Sequence, residues 1–168
     1  MNFEIQTCNP QNKACYNNDT KISEAIYTIF PLETEDAILF WGDTDISLSY
    51  RYDISIMIDD IIPMMFALQS EYNGKWFVCW PSDTFAADWI FEWHGDALII
   101  TTSWYGELTV ESYLNGHNVL HIDKQKFLGE WKKIIDILIK NLLECGYSAD
   151  NLVDMNDLIK ASKIINYV

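Results

Sequence analysis

The stretch Lys75–Glu107, KWFVCWPSDTFAADWIFEWHGDALIITTSWYGE, holds five of the seven tryptophans of this chain and decides its fold. Short apolar runs alternate in it with turn residues, and acidic residues lie at or near the turns. Aromatic and β-branched runs that end at Gly, Pro, Asp or Ser are typical of strands. The stretch therefore predicts the centre of an antiparallel sheet.

Two of these runs, Trp89–His94 and Ala97–Thr102, are separated by Gly95-Asp96 only. A two-residue loop with glycine first is typical of a type II′ hairpin, and it pairs His94 with Ala97. Because side chains alternate between the faces of a strand, the register predicts one core face. That face consists of Trp89, Phe91, Trp93, Leu98, Ile100 and Trp104. The other face is mixed and carries Ile90, Glu92, His94, Ile99 and Thr101.

The first half of the chain also contains strand patterns. Three of them are Phe3–Thr7, Glu24–Phe30 and Ala37–Trp41, the last followed by a turn at 42–45. Strict alternation from Ile46 to Ile58 predicts a longer strand, which we expect to end at about Asp53–Ile56. A helix over Ile54–Leu68 is the alternative, but Pro63 in its interior would cost about 3 kcal/mol. We therefore expect a short helix Asp60–Glu71 with Asp60 as N-cap.

The second half predicts sheet followed by helices. Lys75–Trp80 is apolar on both faces, as a central strand is, and Glu107–Leu114 with His117–Ile122 predicts a hairpin through Asn115-Gly116. Asp123 is placed to cap a helix that ends near Cys145 with Gly146 after it, and Asp154 to cap a helix Met155–Ile165. The expected buried stripe of the longer helix is Phe127, Trp131, Ile134, Ile135, Leu138, Leu142 and Cys145.

Together these elements predict an α+β fold in one domain, residues 1–168. It has an antiparallel, twisted sheet or two packed sheets, a short mid-chain helix and a C-terminal helical layer. Composition agrees, since 49% hydrophobic and 14% aromatic residues supply a substantial core.

The acidic residues are concentrated in the middle of the chain. Residues 22–122 hold sixteen acids against only Arg51 and Lys75, and this segment accounts for the whole net charge of −14. Such segregation favours a directional field, although acidic turns are also common in soluble proteins. It argues against nucleic-acid binding, which needs lysine and arginine against phosphate.

Compartment is predicted from the N-terminus and the cysteines. The first residues have neither a basic nor an apolar signal-peptide region, and no apolar run reaches the roughly 18 residues that span a bilayer. Cys8, Cys15, Cys79 and Cys145 are then expected as reduced thiols in a cytoplasmic protein, with a Cys8–Cys15 disulfide as the alternative.

Patterns for catalysis and for cofactors are weak. His117 and His121 have the spacing of helical zinc ligands, but on a strand they would lie roughly 13 Å apart. Asp43, Asp45 and Asp53 lack the full calcium-loop pattern. Cys79 lies inside WFVCW, so we expect a buried, inert thiol. We therefore expect no enzyme, no metal and no cofactor.

Two classes of function remain. The first is an acidic protein that binds a basic partner, with tyrosines such as Tyr72, Tyr105 and Tyr113 as anchors. Its expected contact residues are the acids at the turns: Asp43, Asp45, Asp83, Asp88, Glu92, Asp96 and Glu107. The alternative is a small carbohydrate-binding module or glycosidase-like enzyme that uses tryptophans and carboxylates.

The segments ISLSYRYD, Ile61-Ile62-Pro63 and WIFEWHGDALII, with the closing amphipathic helix, resemble immunity proteins of bacterial contact-dependent growth inhibition and related polymorphic-toxin systems. The resemblance covers residues 22–168 and rests on no fixed motif. It implies an antitoxin that binds one cognate toxin domain in a 1:1 complex and occludes its active site. It further implies a toxin that is often a nuclease, and a paired-sheet fold like that of Whirly-type proteins. Among nucleases an RNase is weakly preferred, because RNases tend to be basic around their sites. Because no apolar run is long enough to span a bilayer, we also expect no membrane partner.

Overall fold

The computed structural model describes residues 2–13, 15–82, 84–105 and 111–164. In chain order the strands and helices are β1 Phe3–Gln6, α1 Ile22–Ile29, β2 Ala37–Trp41, β3 Thr44–Leu48, α2 Ser55–Ser70, β4 Asn73–Pro81, β5 Ala86–His94, β6 Ala97–Tyr105, α3 Glu111–Gly116, β7 Val119–Asp123, α4 Lys124–Glu144 and α5 Met155–Ala161. A π-helical turn, Tyr50–Ile54, leads into α2. The predicted α+β class, with two sheets and C-terminal helices, is confirmed.

The strands form two antiparallel sheets, β1-β2-β3 and β4-β5-β6-β7. The predicted register of the β5–β6 hairpin is confirmed, with His94 opposite Ala97 and Trp89 opposite Thr102. Gly95 has φ +59, as the first loop residue of a type II′ turn requires. The β2–β3 hairpin turns in the same way at Gly42, with φ +63.

The sheets pack through an aromatic cluster. Trp41 of β2 lies against Trp89 of β5, with ring centroids 5.3 Å apart, and against Trp104 of β6 at 5.5 Å. Phe3 of β1 contacts Trp89 and also Phe127 of α4. The predicted core face of the hairpin is confirmed, because Trp89, Phe91, Trp93, Leu98, Ile100 and Trp104 are all buried.

Helix α4 lies across this core as expected. The Asp123 side chain accepts a hydrogen bond from the Lys126 backbone N–H, and Gly146 follows the helix with φ +88. Every residue of the predicted stripe, from Phe127 to Cys145, is buried. The predicted final helix is confirmed over Met155–Ala161; Ile165, its predicted end, is outside the described residues.

The start of the four-stranded sheet is fixed by contacts to the C-terminus of α2. The backbone carbonyl of Glu71 accepts from the Trp93 indole N–H at 2.9 Å and from the buried Lys124 ammonium at 3.2 Å. The Trp93 ring covers Gly74 so closely that a Cβ there would lie 2.2 Å from it. Donors at a helix C-terminus satisfy carbonyls that have no partner inside the helix.

The prediction of a strand at Glu24–Phe30 was wrong, because this segment belongs to α1. Its buried residues follow helical spacing: Ile22, Ala25, Ile26 and Ile29. The Glu24 carboxylate accepts from the backbone N–H groups of Thr20 and Lys21, which fixes the first turn. The alternation of apolar residues in this segment was therefore accidental.

The long strand that alternation predicted up to Asp53–Ile56 was also wrong. Strand β3 ends at Leu48, and the chain turns into the π-helical turn and then into α2, the longer helix that Pro63 argued against. Ser49 accepts from the Tyr52 N–H, while the Asp53 carboxylate accepts from the Ser49 N–H at 2.7 Å. This reciprocal cap, with buried Ile54, Ile58 and Ile61, outweighs the cost of an interior proline.

Two further strand predictions need correction. Strand β4 is an edge strand and not a central one. Asn115-Gly116 ends α3 and does not form a hairpin turn; residues 107–110 of the predicted strand are outside the described part. The Asn115 side-chain amide accepts from the Trp104 N–H and donates to its carbonyl, so it takes the place of a neighbouring strand.

Strand β1 is protected at its outer edge in a similar way. Glu130 of α4 accepts from the Ile5 backbone N–H at 2.6 Å, and Lys133 donates to the Ile5 carbonyl at 3.3 Å. The two side chains also form an ion pair with each other. An edge strand that exposes its backbone groups is open to pairing with other chains, and these contacts close it.

Candidate protein-binding face

The outer face of β4-β5-β6-β7 exposes alternate residues of every strand, because the opposite face packs on the core. We call it the open face. One row across it is Phe77, Ile90, Thr101 and Val119, and the next is Lys75, Glu92, Ile99 and His121.

Apolar side chains on the open face are exposed. Phe77 is 59% exposed, Tyr105 45%, Val119 40% and Ile99 36%. Exposed apolar groups that cluster on one face, with polar groups around them, are typical of protein-binding surfaces. The open face therefore has the composition of a contact surface.

Asp88 lies on the open face between two donors. It accepts a hydrogen bond from the Tyr105 hydroxyl at 2.6 Å. The Cys79 thiol, opposite it in register, donates the hydrogen bond that is the largest cause of the raised pKa of Cys79. The expectation that Cys79 is buried was wrong, because its strand is at the edge and its side chain is exposed. The thiol nevertheless stays protonated at neutral pH.

The two basic residues of the acidic middle segment are both engaged within the chain. Lys75 forms an ion pair with Glu92 at 2.5 Å on the open face. Arg51 donates to the carbonyls of Tyr27 and Phe30 and stacks on the Tyr27 ring, 3.9 Å from its centroid. The remaining acids of residues 22–122 therefore set the sign of the surrounding field.

The end of the open face nearest the β5–β6 turn is hollow. Two shallow clefts of about 330 and 520 Å³ share Ala97 and Ile99 as their floor. Charged and titratable side chains border the clefts: Lys75, Glu92, His94, Asp96, His121 and Asp123. An apolar floor with an acidic rim fits a long basic side chain, whose stem and head need these two surroundings.

The structure separates the predicted contact residues into two groups. Asp88, Glu92 and Asp96 belong to the open face or its end, while Asp43 and Asp45 are exposed at the β2–β3 hairpin of the other sheet. Asp83 and Glu107 lie outside the described residues. Of the three candidate tyrosines, Tyr105 lies on the open face, Tyr72 is beside His94, and Tyr113 stacks on His117.

Family models, curated proteins and solved structures gave no match to this chain.

Other kinds of site find little support in the described ranges. They contain no group of three or more His, Cys, Asp and Glu side chains that could hold a metal ion. Asp53, a candidate cation ligand, is 1% exposed, and its oxygens accept from Ser49, Ser82 and Thr84. No helix in the same ranges has the length and apolar character to cross a membrane. No disulfide joins any of the four cysteines, all of which lie in the described ranges.

The tryptophans form no sugar-binding platform. Trp41, Trp80, Trp89, Trp93, Trp104 and Trp131 are all buried, and Trp76 is partly buried against the core. Stacking on a sugar ring needs an exposed aromatic face. The carbohydrate-binding interpretation therefore loses the residues on which it rested.

The sequence predicted the mixed face of the β5–β6 hairpin, but not that exposed apolar side chains of β4 and β7 lie on the same face as contact residues. Phe77 was assigned to a central strand, where both faces would be covered, and Val119 to a hairpin of its own. The signal that identifies both is the strand order, because it leaves β4 at an edge and aligns Phe77 with Val119 across the face.

Proposed function

We propose that this chain is a binding protein that captures a basic protein domain on the open face. In this role it is an immunity protein that neutralises a cognate toxin in the cytoplasm, by covering its active site in a 1:1 complex. The observation that carries the proposal is the set of exposed apolar side chains on the open face, Phe77, Ile99, Tyr105 and Val119, on the most acidic segment of the chain.

Charge supports the sign of the partner. With Arg51 and Lys75 engaged inside the chain, residues 22–122 offer a basic domain a field of one sign. Such a field accelerates encounter and disfavours acidic competitors. A nuclease fits, because the site that binds its phosphates is basic.

Exposed apolar side chains on the open face could supply the affinity of the complex. Charge at the rim sets association rates, whereas the affinity of an interface comes mainly from a few buried aromatic and aliphatic anchors. Phe77, Tyr105 and Ile99 are exposed in the free chain and lie on the same face of the sheet, where a partner that covers the face would bury them as anchors.

Co-expression tests the proposal directly. If the chain is an immunity protein, the toxin is expected to be encoded by the neighbouring gene. The C-terminal domain of that neighbouring protein is expressed alone and together with the chain. We expect growth arrest by the domain alone, rescue by the chain, and a 1:1 complex on purification. A domain that arrests growth and is neither bound nor neutralised by the chain would contradict the proposal.

Charge reversal tests the surface. The variant carrying Glu92→Lys and Asp96→Lys should slow association with that domain at least about tenfold, most strongly at low salt. The control carries Asp59→Lys and Asp60→Lys, which make the same change in net charge on exposed positions of α2. Equal slowing by both variants would mean that net charge alone matters and that the open face is not the contact.

Phe77→Ala tests the apolar part of the surface. It should increase the dissociation rate with little effect on the association rate, since a neutral side chain does not steer encounter. An unchanged dissociation rate would remove Phe77 from the interface.

A further inference from the structure

Strand β4, one of three strands of nine residues, lies at the edge of its sheet with its outer side unpaired by any described residue. The hydrogen bonds of the sheet show which backbone groups of β4 point outward. The Thr102 N–H donates to the Asn118 carbonyl, away from β5. In an antiparallel sheet the N–H and C=O of one residue point to the same side, and the side alternates along the strand. Trp89, opposite Thr102, therefore bonds to Val78 of β4, so that Phe77 and Cys79 point their backbone groups outward.

The chain closes two other stretches of strand backbone with side chains, but not the outer edge of β4. Glu130 and Lys133 close β1 at Ile5, and Asn115 closes β6 at Trp104. No described residue pairs with the outer edge of β4. A nine-residue edge strand without such protection is a template for a further strand.

Strand β4 also carries no acidic side chain that would repel a second acidic chain. Its sequence is NGKWFVCWP, and the charge of Lys75 is compensated by Glu92. The Cys79 thiol remains neutral because its hydrogen bond to Asp88 raises its pKa. In a chain of net charge −14, the strand itself therefore adds no negative charge to this edge; the acids that act on Cys79 are Asp88 of β5 and Asp60 of α2.

We propose that two copies of this chain associate through β4, antiparallel and centred on Phe77, into one continuous eight-stranded sheet. In this register Phe77 faces Phe77 of the second copy, and Lys75 faces Cys79. These pairs point their backbone groups outward, so each exchanges two hydrogen bonds. The pairing is isologous and therefore closes on itself as a dimer.

Side chains on the open face support this register. The two Phe77 rings, each 59% exposed in one copy, meet on the same face across the two-fold axis. Lys75 comes to lie two strands, about 10 Å between Cα atoms, from Asp88 of the second copy, beside the Cys79 that pairs with Asp88. This register thus brings one positive side chain toward an acid of the second copy near the axis of two otherwise repelling molecules.

Salt should affect the stability of this dimer in the opposite direction to its effect on the complex with a basic domain. Two copies of net charge −14 repel each other, and salt screens that repulsion. Dimerisation should therefore strengthen as salt rises, while capture of a basic domain slows. The dimer is tested on the purified chain alone, so its failure is distinguishable from a failure of the proposed function.

Sedimentation velocity over a concentration series, at about 0.05 and about 0.5 M salt, measures the association. We expect a monomer–dimer equilibrium that shifts toward dimer at the higher salt. Hydrogen exchange at the Phe77 and Cys79 amides should slow as concentration rises. A monomer at every concentration, with unchanged exchange at these amides, overturns the proposal.

Three variants locate the interface. Phe77→Pro removes an outward N–H and should give a monomer, while Phe77→Ala keeps the N–H and should still dimerise, with weaker affinity. His121→Pro is the matched control, since it removes an outward N–H from β7 at the opposite edge and should leave the dimer unchanged. Circular dichroism establishes that each variant is folded. A folded Phe77→Pro dimer, or equal loss in His121→Pro, overturns the β4 interface.

Discussion

The buried carboxylate of Asp53 joins the π-helical turn to the loop between β4 and β5, and its removal should destabilise the whole fold. Asp53 accepts from the Ser49 backbone N–H at 2.7 Å, from the Thr84 hydroxyl at 2.5 Å and from the Ser82 hydroxyl. It is 1% exposed and Ser82 is 3% exposed, so water replaces none of these bonds without rearrangement.

The cost of Asp53→Ala can be worked from these contacts. A hydrogen bond to a charged group contributes about 1.5–3 kcal/mol, and three are lost. Ser82 and Thr84 recover part of this, because their hydroxyl oxygens lie 3.2 Å apart and can bond to each other. We therefore expect the free energy of unfolding to fall by about 3–5 kcal/mol. Asp53→Asn keeps one acceptor oxygen and should lose less, about 1–3 kcal/mol.

Urea unfolding followed by tryptophan fluorescence measures these changes. The control is Asp45→Ala, which removes an exposed carboxylate from β3 and should stay within about 0.5 kcal/mol of the unchanged chain. Exchange at the Ser49 amide should be faster in Asp53→Ala than in the control. A loss of less than about 1 kcal/mol for Asp53→Ala would refute the reasoning, because the three bonds would then contribute almost nothing.

Three further predictions concern other contacts. Trp93→Ala should lower the free energy of unfolding by about 3–5 kcal/mol, since it removes a buried ring and a donor to the Glu71 carbonyl; a smaller loss in urea unfolding would contradict this. Cys79 should react slowly with iodoacetamide at neutral pH although it is exposed, and Asp88→Asn should speed the reaction by lowering the pKa of Cys79. Mass spectrometry measures both rates, and equal rates would count against the thiol–carboxylate bond. Glu130→Ala should speed exchange at the Ile5 amide, and unchanged exchange would show that Glu130 does not close the β1 edge.

The parts of the fold that sequence predicted well are those fixed by local chemistry. The turn at Gly95-Asp96 determined the register of β5 and β6, and the register determined which tryptophans are core. Helix α4 was predicted with its cap, its buried stripe and its terminal Gly146, because all three signals lie on one element.

The errors lie where tertiary contacts decide between two local patterns. Ile54 and Ile58 fit both a strand and a helix, and the helix forms because Ser49 and Asp53 cap each other across one extra residue. That spacing, Ser-x-x-x-Asp, is the signal a search for the usual Ser-x-x-Glu cap misses.

The candidate site was only partly predictable for the same reason. Acidic residues at turns are visible in the sequence, and Asp88, Glu92 and Asp96 do lie on the open face or at its end. Which apolar residues lie beside them depends on strand order, since Phe77 and Val119 are aligned only through two intervening strands. Strand order arises from packing over the whole core, and no local pattern encodes it.

The closure of β1 by α4 has a consequence for the order in which the protein is made. The Ile5 backbone finds its partners on Glu130 and Lys133, more than 120 residues later in the chain. A ribosome delivers them only after β1, β2 and β3 have emerged, so the first sheet spends most of its synthesis with that edge uncovered. The β1 edge is therefore open to pairing with a strand of another nascent chain until α4 has been synthesised. Chains truncated before residue 124 should be insoluble.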